Sequence, residues 1–432
     1  MRESEVYSVG SLTEKNRLRS VALVFEPIGV HALVRRSHVD RVMRVLQRDG
    51  ALSRGEIATR TGISRTTVSE IVGGLLASRS IVVVATDASG RTGSGRPAEL
   101  LALDPSAGQF LGIDFGHRRV HVSIADASHD VIASGSVAYP EDARWSERLA
   151  ALYGLVEDLQ ASTGIHLESL QGIGVGVPGP FVTAEWAPGE GWGRLSESRS
   201  IEAELSERFG ARVLLDNNTQ FAALTEAQHA TGDEPGDVVY IRLGDGVGGG
   251  LVVGGRLVSG SIGLAAEFGH VRASEGGRLC RCGKSGCLET IASMPAMLAG
   301  CVARGLELST IDEFRAAVAV AHPVVDEVVR EAGVAVGRVL AAATLILNPA
   351  IVVIGGDVPQ HAPAIMRVVR DTMTYELSST APAAPQLRQA AYSGDEGSRG
   401  AIAALFHASP LLIDYPERET APRSPDSRRS FA

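Results

Sequence analysis

The sequence predicts an α/β protein in two unequal parts: a small N-terminal winged helix-turn-helix and a larger body in which strands and helices alternate. Three observations predict it. Apolar residues recur at helical spacing in three short segments between His38 and Leu76, and two strand-like runs follow them. Strand and helix patterns then alternate from Gln109 to about residue 408. The length of 432 residues exceeds one ordinary domain and fits one small domain plus one bilobal one.

Residues 1–36 show no sustained period, end in Arg35-Arg36 and read as a poorly ordered extension. The winged module is expected over 37–104. Val39, Val42, Val45 and Leu46 line one face of a first helix from His38 to Gln47, which Asp49-Gly50 stops. Ser53 can cap a second helix, with Glu56 completing a capping box, and Thr61-Gly62-Ile63 makes a tight turn.

Ser64 caps a third helix whose apolar face is Val68, Ile71, Val72, Leu75 and Leu76. Its polar opening residues Arg65, Thr66, Thr67 and Ser69 are those that would meet base edges. Ile81–Val84 and Leu100–Leu103 read as a β-ribbon with Arg91 and Arg96 in its tip, and Arg54 adds a further candidate contact. A small helical bundle without nucleic acid is the plain alternative.

Charge is unevenly spread. From His38 to Ala98 nine arginines face five acidic residues, a net +4 that leaves −13 for the remainder of a chain at −9. A basic module on an acidic body suits local contact with a polyanion, although a solvated arginine-rich surface carries the same charge. No apolar run approaches the roughly 20 residues of a membrane span. Val21–Phe25 is broken by Glu26-Pro27 and makes a poor signal peptide, so a cytoplasmic location with no membrane partner is expected.

The body is expected over 109–408, opening on strands Phe110–Asp114 and Val120–Ala125 around a turn at Gly116. Residues 409–432, rich in Pro, Arg, Ser and Glu, read as a disordered tail. Within the body, Cys280, Cys282 and Cys287 lie in eight residues, with His270 ten positions before the first. Three thiolates and one imidazole complete a tetrahedral Zn²⁺ shell, and Gly283 and Gly286 let the chain turn back on the ion. A Cys280–Cys282 disulfide would be badly strained and is disfavoured in a reducing compartment. With all four positions filled by protein, one structural zinc per chain is expected. Cys301 has no partner at ligand spacing and reads as a buried small hydrophobe.

His270 lies in Ala265-Ala266-Glu267-Phe268-Gly269-His270, and Gly286-Cys287-Leu288-Glu289 closes the cysteine loop. With Gly172–Pro180, Leu243–Gly250 and Asn348–Gly356, these stretches resemble the ROK family of repressors, open reading frames and sugar kinases, in its transcriptional-regulator form. The resemblance implies two lobes of the actin-like, ribonuclease-H-like ATPase type with a sugar in the intervening cleft. It places sugar contacts at Asn217, Asn218, Glu267, His270 and Glu289. Carboxylates and amides suit paired hydrogen bonds to adjacent hydroxyls. His270 would then serve both metal and sugar. A surface salt bridge is the plain reading of Glu267 and Glu289.

The chain departs from the kinase pattern at three places. Asn218 stands at the position of the aspartate that deprotonates the sugar hydroxyl, so general-base help worth roughly 10²–10⁴-fold is missing. Asp216 is offset by two residues. The first phosphate loop reads Asp114-Phe115-Gly116-His117-Arg118, with bulk where backbone N–H groups should approach phosphate. The second reads Gly244-Asp245-Gly246, with a carboxylate that would repel a triphosphate unless a metal intervened. Residues 181–192 form a shorter loop than the family's usual one.

The expectation is a non-enzymatic regulator. It would bind double-stranded operator DNA as a homodimer or homotetramer, with a sugar or sugar phosphate as effector. An ATP-dependent sugar kinase and a regulator controlled by a protein partner are the alternatives.

Overall fold

The computed structural model describes residues 30–87, 98–128, 130–167, 170–179, 194–230, 236–378, 384–391 and 394–408. Three helices open it: α1 (Val30–Asp49), α2 (Arg54–Thr61) and α3 (Arg65–Ala77), with a two-residue strand β1 (Leu52–Ser53) between the first two. Strands β2 (Ile81–Asp87) and β3 (Ala98–Leu103) follow, and the small sheet runs β1-β3-β2. Val42, Met43, Leu46, Ile57, Val68, Val72 and Leu101 form its buried core.

The caps are those the sequence signals. Ser53 and Glu56 bond reciprocally at α2, and the Ser64 hydroxyl accepts the Thr67 amide at α3. Helix α1 corrects the expectation of a poorly ordered segment through residue 36, since it begins at Val30. Arg35-Arg36 does not end it, because arginine is a good helix former, and the Arg35 side chain is exposed.

The first lobe contains β4 (Gln109–Phe115), β5 (Arg119–Asp126), β6 (Val131–Ala138), α4 (Trp145–Thr163), β7 (Leu170–Val177), α5 (Arg194–Phe209), β8 (Val213–Asn217) and α6 (Asn218–Ala230). The second contains β9 (Val238–Leu243), β10 (Val247–Val253), β11 (Arg256–Leu257), α7 (Glu289–Ala292), α8 (Met294–Val302), α9 (Ile311–Ala319), α10 (Pro323–Leu347), β12 (Ile351–Gly355), α11 (Asp357–His361), α12 (Ala364–Leu377) and β13 (Gln386–Gln389). Helix α13 (Glu396–Ala408) ends the described chain.

The two large sheets have one topology. Their orders, β6-β5-β4-β7-β8 and β11-β10-β9-β12-β13, each begin with an antiparallel meander and end with two parallel strands. The parallel strands β4, β7 and β12 are buried along nearly their whole length, as strands covered by helices on both faces must be. This is the duplicated actin-like architecture. Among the described residues no helix is long and apolar enough to cross a membrane.

Helices α6 and α13 join the lobes. Helix α6 leaves the first sheet at β8 but packs on β9 and β10 of the second, while α13 packs on β4 and β7 of the first. The two pack closely against each other, and Gly400 makes the approach possible: a Cβ there would run into the Phe221 carbonyl. Gly400→Ala is therefore expected to cost about 1–3 kcal/mol, read as a lowered midpoint in urea unfolding of the full chain.

Candidate ligand cleft and cysteine knuckle

The cysteine segment folds as a knuckle because its glycines allow it. Gly283 and Gly286 take left-handed φ of 86° and 77°. The Cys280 amide donates to the Lys284 carbonyl at 2.8 Å, and the Gly283 amide to the Cys280 carbonyl at 2.9 Å. The turn returns Cys287 to His270: the ligand atoms of His270, Cys280, Cys282 and Cys287 all lie within 4.8 Å of one another. His270 Nδ1 is 3.5 Å from Cys280 Sγ, and the sulfurs of Cys282 and Cys287 are 3.6 Å apart. Donors on a tetrahedron of Zn–S radius would stand about 3.7 Å apart. Cys280 and Cys287 are buried and Cys282 is exposed. Cys301 is fully buried, away from this set.

Between the lobes lies a cleft cavity of about 680 Å³. Asn217, Asn218 and Glu267 line it together with the turns carrying Gly116–Arg118 and Gly244–Gly246. Asn217 Oδ1 accepts the Thr219 amide at 2.8 Å, which turns Nδ2 toward Glu267 Oε1 at 3.4 Å. Burial pushes the Glu267 carboxyl up to about 7 against the pull of Arg281. Asn218 donates through Nδ2 to Asp114 Oδ1 at 2.8 Å and to the Phe115 carbonyl at 3.1 Å.

The other two candidate sugar contacts stand back from this cavity. His270 is not among its lining residues, and Glu289 lines an adjoining one. Glu289 is held by Arg281, whose Nε reaches Oε1 at 2.9 Å and whose Nη2 reaches Oε2 at 3.0 Å, and it also accepts the Val247 amide at 3.2 Å. Arg281 therefore belongs to the site. Its place between two cysteines of the knuckle gave no sign of this.

The two turns meet across the cleft. Arg118 pairs with Glu141 of its own lobe at 2.8 Å and lies 3.9 Å from Asp245 of the other. Behind them Arg242 Nη2 stands 3.6 Å from Asp114 and 3.3 Å from Glu396, both almost fully buried. Burial pushes Asp114 up to about 6, while Arg242 and the Asn218 amide pull it down. Reading by motif missed Arg242. The signal was a lone charge in the apolar strand Val238-Val239-Tyr240-Ile241-Arg242-Leu243.

On the winged module, Ser64, Arg65, Thr66 and Ser69 are exposed at the start of α3 and Thr67 is half-buried. The Ser64 and Thr67 hydroxyls bond each other at 2.8 Å. Arg54 is paired with Glu99 of β3 at 2.6 Å, which directs its charge toward the ribbon. Arg91 and Arg96 lie outside the described residues, as do the loop 181–192 and the tail 409–432.

A winged helix ahead of two like lobes that enclose a polar cleft is the architecture of a DNA-binding module fused to a sugar-kinase-like body. Family models described as "ROK family" and "Winged helix-turn-helix DNA-binding" match residues 110–408 and 40–76, respectively. The chain belongs to the ROK family, in the form that carries an N-terminal winged helix-turn-helix.

Its relatives include a putative xylose repressor from Caldicellulosiruptor sp. (strain Rt8B.4), 26% identical over 63% of this chain and 67% of the relative. The DNA-binding transcriptional dual regulator NagC from Escherichia coli (strain K12) is 26% identical over 79% of this chain and 86% of its own. A glucokinase from Halalkalibacterium halodurans is 33% identical over 54% of this chain and 74% of its own. The crystal structure of a ROK family transcriptional regulator, a homologue of the E. coli MLC protein, covers 88% of this chain and 99% of its own with a TM-score of 0.67 at 20% identity, a likeness of fold.

Asp216 does not line the cleft. Burial pushes its carboxyl from 3.8 up to about 6, offset only by the hydrogen bond from the Asn217 amide. A buried acid with a raised pKa holds its proton more tightly when folded, so this group takes stability away as pH rises from about 4 to about 6. The loss persists above that window. Asp216→Asn should raise stability at pH 8 by up to about 3 kcal/mol. Thermal melts should show the gain shrinking to nothing near pH 4.

Proposed function

We propose that this chain is a sugar-responsive DNA-binding repressor of the cytoplasm, a homo-oligomer whose kinase-like cleft binds a sugar or sugar phosphate without phosphorylating it. The observation that carries the reading is the first turn of α3. It presents Arg65, Thr66 and Ser69 to solvent, while Val68, Ile71, Val72 and Leu75 on the other face of the helix are buried in the module's core. Short polar side chains and an arginine at a helix N-terminus suit base edges in a major groove. The xylose repressor and NagC among the relatives support the same reading.

The cleft supports binding more than catalysis. Asn218 has no carboxylate to take a proton from a sugar hydroxyl, and its amide is committed to Asp114 and Phe115. Bulk at Arg118 and charge at Asp245 oppose a polyphosphate. Asn217 and Glu267 line the cavity side by side, joined by a long 3.4 Å hydrogen bond, and suit contact with adjacent hydroxyls. The His270, Cys280, Cys282 and Cys287 set suits one structural Zn²⁺, which would fix the knuckle and with it Arg281 and Glu289. The glucokinase relative favours a second reading as a sugar kinase. Phosphoryl transfer from ATP over a hexose panel, abolished by Asn217→Ala, would establish that reading instead.

Selection of genomic fragments on purified protein should enrich a sequence with two half-sites, bound less tightly as salt rises. Arg65→Ala should weaken that complex by about 1–3 kcal/mol. Enrichment of no sequence would sink the proposal. Zinc-loaded protein should bind one metal per chain and show a thermal shift with a member of a sugar and sugar-phosphate panel. Cys287→Ser should lose both the metal and the shift.

A further inference from the structure

A kinase-like cleft that accepts a nucleotide needs cations between its two phosphate turns, because a polyphosphate cannot otherwise be held among carboxylates. Two acids stand in that position here. Asp114 ends β4 of the first lobe, and Glu396 begins α13, which packs on that lobe. Both are almost fully buried. Two such carboxylates facing one gap are what a divalent ion would bridge.

The residues present do not fit such an ion, because the gap already holds a positive charge. Arg242 enters it from β9 of the second lobe, with Nη2 at 3.3 Å from Glu396 Oε1 and 3.6 Å from Asp114 Oδ2. Tyr240 completes the set: Arg242 Nε donates to its hydroxyl at 3.4 Å, and that hydroxyl donates to Glu396 Oε1 at 3.4 Å. The remaining carboxylate oxygens are also taken, Asp114 Oδ1 by Asn218 at 2.8 Å and Glu396 Oε2 by the Gly394 amide at 2.7 Å. Nearer the rim Arg118 of the first lobe faces Asp245 of the second at 3.9 Å, an ion pair of the opposite sense.

We propose that Arg242 is a resident cation: it takes up the carboxylates that a divalent ion bound with a polyphosphate would need, and it ties the two lobes together. Buried carboxylates neutralised by a guanidinium in a low-dielectric gap hold one another strongly, and neither partner can leave alone without stranding a charge. The carboxylates of the cleft's phosphate side are thus neutralised by the chain itself, and the cavity beside them stays open along Asn217 and Glu267.

The test titrates Mn²⁺ into full-length, zinc-loaded protein, with bound ion read by electron paramagnetic resonance and zinc content checked at the end. The wild type should bind no Mn²⁺ in the cleft. Arg242→Ala should gain a site at least about tenfold tighter than any weak wild-type binding, and adding Asp114→Asn should remove it. Mn²⁺ bound by the wild type and lost in Asp114→Asn would overturn the proposal, and so would an Arg242→Ala chain that gains no site. Where the alanine variant does not fold, Arg242→Gln takes its place, and the wild-type titration stands by itself. The proposal extends the regulatory reading yet fails separately from it, since Mn²⁺ reports on the cleft and operator selection on the winged module.

Discussion

The close crossing of α6 and α13 is the constraint on which the rest of the molecule depends. Each helix follows one sheet in sequence and packs on the other, so the spacing between them sets the spacing of the cleft walls. Thr225 donates to the Glu396 carbonyl at 2.6 Å, and Ser398 bonds Ser123 at 2.8 Å. The first turn of α6 carries Asn218, and the first turn of α13 carries Glu396. Both side chains that fix Asp114 and Arg242 are therefore positioned by one helix pair. On the far side of α6, Arg388 of β13 reaches the buried Glu226 at 2.6 Å and anchors the helix to the second sheet.

The knuckle acts on the cleft through a chain of contacts. His270 and the cysteines fix the loop, the loop aims Arg281, and Arg281 holds Glu289 against the Val247 amide. The β9–β10 turn that carries Gly246 is thus braced from the knuckle side, and its neighbour Asp245 faces Arg118 from the other. A change in the loop would reach the turn through one bidentate ion pair. Glu267, three residues before His270, shares the field of Arg281 and Glu289.

Much of this was legible in the sequence. The capping boxes, the αL glycines and the cysteine spacing are local features, and local features are what a one-dimensional reading resolves. Ser53, Ser64, Gly283 and Gly286 stand as their residue types foretold. The partners that were missed are long-range ones. Arg242 finds Asp114 and Glu396 only after two sheets and two helices are assembled, and Arg54 turns to Glu99 only because the ribbon returns beside α2. Glu289 reads from its motif as a ligand contact, whereas its acceptor atoms are occupied by Arg281 and Val247. Motif reading names residue types at a site and is silent on which of them have already satisfied one another.

The duplicated strand order has a consequence for how the two halves are held. Strands β4 and β9 hold the same central place in their sheets, and the turns after them are counterparts. Asp114 with Arg242, and Arg118 with Asp245, are thus opposite charges set at related places in two halves of like topology. Taking Arg242 away would strand two buried carboxylates, Asp114 and Glu396, whereas Arg118 keeps Glu141 if Asp245 is lost, so the inner pair binds the halves together far more firmly than the outer one.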